Sequence, residues 1–303
     1  MSEAKYTPEE IISRLELKPV TQYQSEIISS PLEPSVVIAG AGSGKTETMS
    51  NRVLYLVANG FVTPDQILGL TFTRKAAGEL SVRIRKRLRQ LAAHKDFKHI
   101  TSTATSVTTY HSYAGKLLSE HAIRYGIDAD AEPLGEAAIW QIASDVVRNW
   151  SDDSYRNQSA VSTVIKDLLG LSKLMLEHQV KAEDIERIGN EVLLSLQPLT
   201  GSSNAEVRDV AKAMRQRNSL LPMVETFMQR RKAAGEFSFD DQMSLAADIA
   251  QNFEDVGVLE RGKYKVVLLD EYQDTSQSQV RMLSSLYGGG HPVMAVGDPS
   301  QAI

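Results

Sequence analysis

The chain contains no cysteine. That excludes disulfides and thiolate metal sites, and a cytoplasmic protein is expected. Aromatic residues make up only 6% of the 303 positions, and no apolar run reaches the ~20 residues of a membrane span. The polar start Met1-Ser2-Glu3-Ala4-Lys5 is unlike a signal peptide. An excess of positive charge is missing too: the formal net charge is -5, so only a local cluster of cations could serve a polyanion. What is present, 42% hydrophobic and 23% charged residues, is ordinary for a globular protein. The length exceeds one typical core, so two structural units are expected.

The strongest local signal is the octapeptide AGAGSGKT at 39–46, which follows the apolar run Ser35-Val36-Val37-Ile38 and opens a helical segment over 47–59. Strand, glycine loop and helix in that order let backbone N–H groups and the positive end of a helix dipole cradle phosphates. Lys45 would reach the outer phosphates, and Thr46 would place its hydroxyl on Mg²⁺. The strict pattern G-x-x-x-x-G-K-[ST] fails where Ala39 stands, while Gly40, Ala41, Gly42, Ser43 and Gly44 complete the loop. A glycine-rich surface turn is the bland alternative, and the flanking strand and helix argue against it.

Upstream, Thr7-Pro8-Glu9-Glu10 reads as a helix start. A second short helix near Thr21 carries Gln24, whose amide could read an adenine edge or lie solvated. Downstream, a strand over 67–72 runs into a helix with a core stripe of Leu80, Ile84, Leu88 and Leu91. Arg83, Arg85, Lys86, Arg87 and Arg89 occupy its other faces, with His94, Lys95, Lys98 and His99 beyond. This basic cluster is either a solvated face or a phosphate contact. A strand over 103–109 ends in Thr109-Tyr110-His111-Ser112. There Tyr110 could stack on a base or be buried, and His111 could donate to a phosphate.

From 113 to 235 helical periodicity takes over, with helices expected over 135–150, 160–176, 182–196 and 204–234, the last broken at Pro222. Turn-rich breaks fall at 151–154 and 200–204, and Trp140 and Trp150 are expected in a core. Strand texture returns at 265–269 and ends in Asp270-Glu271, an acid pair suited to holding Mg²⁺ and orienting an attacking water. A helix over 276–287 and a strand over 292–296 follow, delivering Gly297-Asp298-Pro299-Ser300-Gln301 to the same sheet edge. There Gln301 could sense a terminal phosphate. Phosphate loop, acid pair and glutamine thus converge on one edge of a parallel sheet.

In these residues the chain resembles the superfamily 1A DNA helicases of the UvrD/Rep/PcrA type. The matching segments are Gln24, AGAGSGKT at 39–46, TFTRKAA at 71–77, TYHS at 109–112, SFDDQ at 238–242, LLDEYQDTS at 268–276 and VGDPSQAI at 296–303. Ala in the first loop position is common in that family. The resemblance implies an α/β fold: a RecA-like P-loop sheet domain over 1–112 and 236–303, with an all-helical domain inserted over 113–235. It implies ATP and Mg²⁺ as cofactors, Gln24 on adenine, the loop 39–46 on phosphate, and Thr46 and Asp270 on metal. Glu271 would act on water, Gln301 would couple phosphate to DNA, and Arg83 would approach the terminal phosphate. Phe72, Thr73, Arg74, His111 and Ser112 match positions that contact single-stranded DNA, although Arg74 replaces the usual Asn. Glu47 stands where Arg is frequent.

The motifs of a second RecA-like domain, including its arginine finger, are not in these 303 residues. The expectation is the N-terminal part of a 3′-to-5′ helicase of DNA repair or replication, binding ATP but hydrolysing it poorly by itself. Single-stranded DNA, duplex junctions and repair proteins are the expected partners, and a membrane is not. Two other readings are the motor part of a RecB- or AddA-like helicase-nuclease and a non-motor module switched by ATP.

Overall fold

In the computed structural model residues 4–40, 42–98, 100, 104–128, 131–151, 160–197 and 205–301 are described. The chain parts into two compact units, one comprising 1–116, 247–275 and 279–303, the other 117–246 with 276–278. Texture alone suggested limits at 112/113 and 235/236. The division falls instead inside two continuous helices, Tyr110–His121 and Phe239–Asn252, where no turn residue marks it.

In chain order the first unit begins with α1 (Pro8–Arg14), α2 (Gln22–Ser29), β1 (Ser35–Ile38), α3 (Lys45–Ala58), β2 (Ile67–Thr71), α4 (Arg74–Ala93), β3 (Ser106–Thr109) and α5 (Tyr110–His121). The helices of the middle stretch are α6 (Glu136–Arg148), α7 (Val161–His178), α8 (Ala182–Leu196) and α9 (Ala205–Ala233). They are followed by α10 (Phe239–Asn252), α11 (Glu254–Lys263), β4 (Val266–Leu269), α12 (Gln277–Tyr287) and β5 (Val293–Gly297).

All five strands run parallel in the order β1-β5-β4-β2-β3. Parallel strands need covering on both faces, so the central strands β2 (Ile67–Thr71) and β4 (Val266–Leu269) are buried throughout, and all but Thr71 of their residues are apolar. The edge strand β1 instead alternates half-buried with exposed positions. The core beneath the sheet joins Met49, Val53 and Leu56 of α3 to Leu80, Ile84 and Leu88 of α4 and to Leu268 and Val296. The 3.6-residue stripe read in α4 is therefore its buried side. β3 begins at Ser106; Thr103, where the strand was expected to start, lies outside the described residues, as do His99, 152–154 and 200–204.

The second unit packs α6, α7 and α9 around Val147, Leu168, Val224 and Phe227. Two expectations are corrected here. Pro222 does not break its helix: α9 runs through it, because Leu220, Leu221, Met223 and Val224 on both sides of the proline are held in one core, which outweighs the lost backbone hydrogen bond. Trp140 is 36% exposed, since it precedes the turn at which Ala143, Val146 and Val147 enter the core. Trp150 is half-buried against that core. Among the described residues no helix is long and apolar enough to cross a membrane.

Candidate functional site

The loop after β1 is built by two glycines with left-handed backbone, Gly42 at φ 76° and Gly44 at φ 89°. A side chain at Gly44 would also come within 3.0 Å of Gln24 Nε2, so glycine is required there by conformation and by space. Gly44 is the N-cap of α3 and offers no side-chain cap. The helix therefore begins with uncapped N–H groups behind a glycine turn, the arrangement an anion fills. Ala41 lies outside the described residues.

The strand order brings the distant motifs to this loop. β5 lies between β1 and β4, and Ala39 N–H donates to the Gly297 carbonyl at 3.0 Å. Lys45 Nζ lies 3.3 Å from Glu271 Oε2, with side-chain exposures of 10% and 42%. Asp270 is buried beside it, its Oδ1 accepting the Glu271 N–H at 3.2 Å. Glu271 sits in left-handed backbone at φ 51°, which turns the acid pair sharply off the end of β4.

Burial, and next the Glu271 charge, hold the Asp270 carboxyl above its ordinary value of 3.8 despite the opposing Glu271 N–H and Lys45. A carboxyl whose pKa is raised by folding is disfavoured in its ionised form, so above that raised pKa it lowers stability. Asp270→Asn is therefore expected to raise the thermal midpoint of the free protein at pH 7. The gain should shrink as the pH is lowered through the raised pKa, and a midpoint equal to or below the parent's in a pH series of thermal melts would refute this.

Gln301, expected to sense a phosphate, donates from Nε2 to Asp298 Oδ2. Asp298 is buried and also accepts the Ser300 N–H at 3.0 Å. The residue that reading the sequence missed is Gln273. Its Nε2 donates to Glu271 Oε2 at 3.0 Å and to Asp274 Oδ2 at 3.1 Å, and its Oε1 accepts the Asp298 N–H at 3.0 Å. A side chain at Gly297 would meet Gln273 Oε1 at 2.5 Å, so this glycine makes room for the bridge. A glutamine one turn past an acid pair was the available signal, but only proximity to Asp298 gives it a task.

Arg83 pairs with Glu47 at 3.4 Å, in the first turn of α3. Glu47 also accepts from Arg87, whose Nη1 donates to Asn51 Oδ1 at 2.7 Å. Arg87 is buried, contrary to its expected place on an open face, while Arg85, Lys86 and Arg89 are exposed. Glu47 is thus the counter-charge for two cations of α4.

A second group lies at the same ends of the adjacent strands β2 and β3, paired Thr71 to Thr109. Thr73 caps α4, accepting the Ala76 N–H at 3.1 Å, and Arg74, His111 and Ser112 are exposed. Phe72 is half-buried with its ring 5.3 Å from that of Tyr110. Tyr110 is 1% exposed and donates to the Asp270 carbonyl at 3.3 Å. Of the two readings, stacking on a base or burial, burial holds; the Tyr110 phenol is raised far above the ordinary value, first by burial and then by Asp270. The segment SFDDQ is structural: Asp241 pairs with Arg231 and accepts from Ser238. Among the described residues no group of three or more His, Asp and Glu side chains could hold a metal ion.

A family model described as the UvrD/REP helicase N-terminal domain matches residues 20–303. Among curated proteins, the ATP-dependent DNA helicase UvrD1 of Mycobacterium bovis is 30% identical over 277 residues, taking in 89% of this chain and 31% of that protein. UvrD1 of Mycobacterium leprae is 26% identical over 306 residues, 98% of this chain and 35% of its own length. The ATP-dependent DNA helicase PcrA of Staphylococcus aureus is 26% identical over 282 residues, 92% of this chain and 33% of its own. The chain spans about a third of the length of these relatives.

Proposed function

Since the chain belongs to the family of UvrD/REP helicase N-terminal domains, we propose that it is the ATP-binding half of a DNA helicase that moves 3′ to 5′ on single-stranded DNA. The observation that carries this reading is the meeting of Lys45 and Glu271, 226 residues apart, at 3.3 Å beside an uncapped helix start. Lys45 and the N–H groups opening α3 would hold the outer phosphates, and Gln24 would read the adenine. Thr46 and the buried Asp270 suit a hard cation in oxygen-ligand type and charge. Mg²⁺ bound with the nucleotide would neutralise the charge on its phosphates. Glu271, released from Lys45 once phosphate takes the lysine, would orient and deprotonate the attacking water. Gln273 ties the Glu271 carboxylate to the backbone N–H of Asp298.

In this reading Phe72, Thr73, Arg74, His111 and Ser112 hold single-stranded DNA, and Tyr110 connects that strip to the backbone of Asp270. Arg74→Ala is expected to weaken binding uniformly across sequences and to lower the slope of log K against log salt by about 0.7, one phosphate contact on a single strand. Fluorescence anisotropy over a salt series reads both quantities; an unchanged slope would remove Arg74 from the contact. The 303 residues themselves are expected to bind Mg-ATP but to turn it over slowly. In this reading the arginine that completes the site comes from a second RecA-like domain, and such fingers contribute ~10³ or more in rate. Fast DNA-stimulated phosphate release by this chain would overturn the half-site reading.

A further inference from the structure

The helix α2, which carries Gln24, rests on α3 and the core through Ile28 and Ile27. Of its eight residues only Ile28 is buried, and Tyr23 is 78% exposed. At its start Thr21 and Gln24 form a capping box, with the Thr21 N–H donating to Gln24 Oε1 at 3.0 Å. Gln24 Nε2 then donates to the Ser43 carbonyl of the phosphate loop at 3.0 Å. Its far end is held by Arg52 of α3. This guanidinium is 3% exposed and donates from Nη1 to the Ile28 and Ser30 carbonyls and from Nη2 to the Pro31 carbonyl at 2.9 Å.

Arg52 has no carboxylate among these partners, and burial brings its pKa down to about 10. A buried cation paired only with carbonyls contributes little net stability. It does supply a planar fork that fits several carbonyls at once and a positive charge at the negative end of a helix. Between α2, β1 and α3 lies a pocket of about 280 Å³, lined by Tyr23, Gln24, Ile27, Val37, Lys45 and Met49 among others. Arg52 and Lys45 belong to the same helix, so the fork sets the distance between the wall carrying Gln24 and the phosphate end.

We propose that Arg52 is a positioning residue for base selection: by gripping the last carbonyls of α2 it fixes Gln24 at the wall of this pocket, beside the phosphate loop. The inference rests on the reading of Gln24 as the group that recognises adenine.

The test is equilibrium binding of Mg-ATP and Mg-GTP to the parent chain and to Arg52→Met, Arg52→Lys and Gln24→Ala, with the ratio of the two dissociation constants as readout. A folding defect lowers both affinities together and leaves this ratio unmoved. The parent is expected to prefer ATP, and both Gln24→Ala and Arg52→Met to reduce the preference by about fivefold or more, the worth of one directed hydrogen bond. Affinity for Mg-GTP should change less than about twofold, since the phosphate contacts remain. Arg52→Lys, with the charge but no fork, should fall between, and it supplies the comparison if Arg52→Met does not fold. A preference lost in Gln24→Ala but intact in both Arg52 variants overturns the role of Arg52 alone. A preference absent from the parent, or intact in every variant, overturns the reading of Gln24 and the inference with it. A preference lost in the Arg52 variants but kept in Gln24→Ala overturns the inference as stated, because Arg52 then acts through a group other than Gln24.

Discussion

Lys45→Ala is expected to weaken Mg-ATP binding about 100-fold, the loss of charge-assisted bonds worth roughly 1.5–3 kcal/mol, and to leave the protein folded. The lysine side chain is 10% exposed; beside its weaker attraction for the buried Asp270, its ion-pair partner is Glu271 at 3.3 Å. That partner is 42% exposed and keeps its bond from Gln273, so removing Lys45 leaves a carboxylate that water can reach. α3 itself is held by Met49, Val53, Leu54 and Leu56, all in the core. Affinity and stability should therefore separate, with titration calorimetry showing the loss and the melting temperature staying near that of the parent. Near-parent affinity would place the phosphates elsewhere, and the proposed function would fall with it.

Asp241→Ala should destabilise the helical unit by about 3–5 kcal/mol, the usual effect of breaking a buried ion pair from one side. Arg231 and Asp241 have side-chain exposures of 8% and 9%. Asp241 also accepts the Ser238 N–H at 2.5 Å and the Ser238 hydroxyl at 2.8 Å. Arg231 already has an unpartnered Nε, and loss of the carboxylate strands its charge as well. The double variant Arg231→Met with Asp241→Leu is expected to recover most of the loss, because no buried charge then remains. Urea denaturation followed by circular dichroism measures both. A loss below about 1 kcal/mol for Asp241→Ala would mean that Arg231 reaches water once released.

These two positions differ in how far they could be read in advance. Lys45 stands in a pattern whose glycines, preceding β-branched run and following helix are all local, and local geometry is what neighbouring residues dictate. Asp241 sits in a segment that resembled a motif of the helicase family, yet its task depends on Arg231, which no spacing rule connects to it. Tyr110 shows the same limit. A tyrosine at a strand end is equally suited to stacking or burial, and the ring of Phe72 with the Asp270 carbonyl decided for burial. Pro222 was misjudged because propensity assigns it a helix break, whereas packing on both sides carries the helix through.

By itself the sequence determined the elements: the glycine loop between β1 and α3, the acid pair Asp270-Glu271, the strands that bear them and the helical stretch between. Each of these rests on contacts between near neighbours in the chain. The tertiary structure alone decided the placement of β5 between β1 and β4, and with it the bridge from Glu271 through Gln273 to Asp298. It also decided that Glu47 answers Arg83 and Arg87, and that Arg52 holds the helix of Gln24. The physical reason is common to all of them: hydrogen bonds and ion pairs between residues far apart in the chain depend on ångström-scale approach, which composition and periodicity do not encode and which exists only once the sheet has assembled.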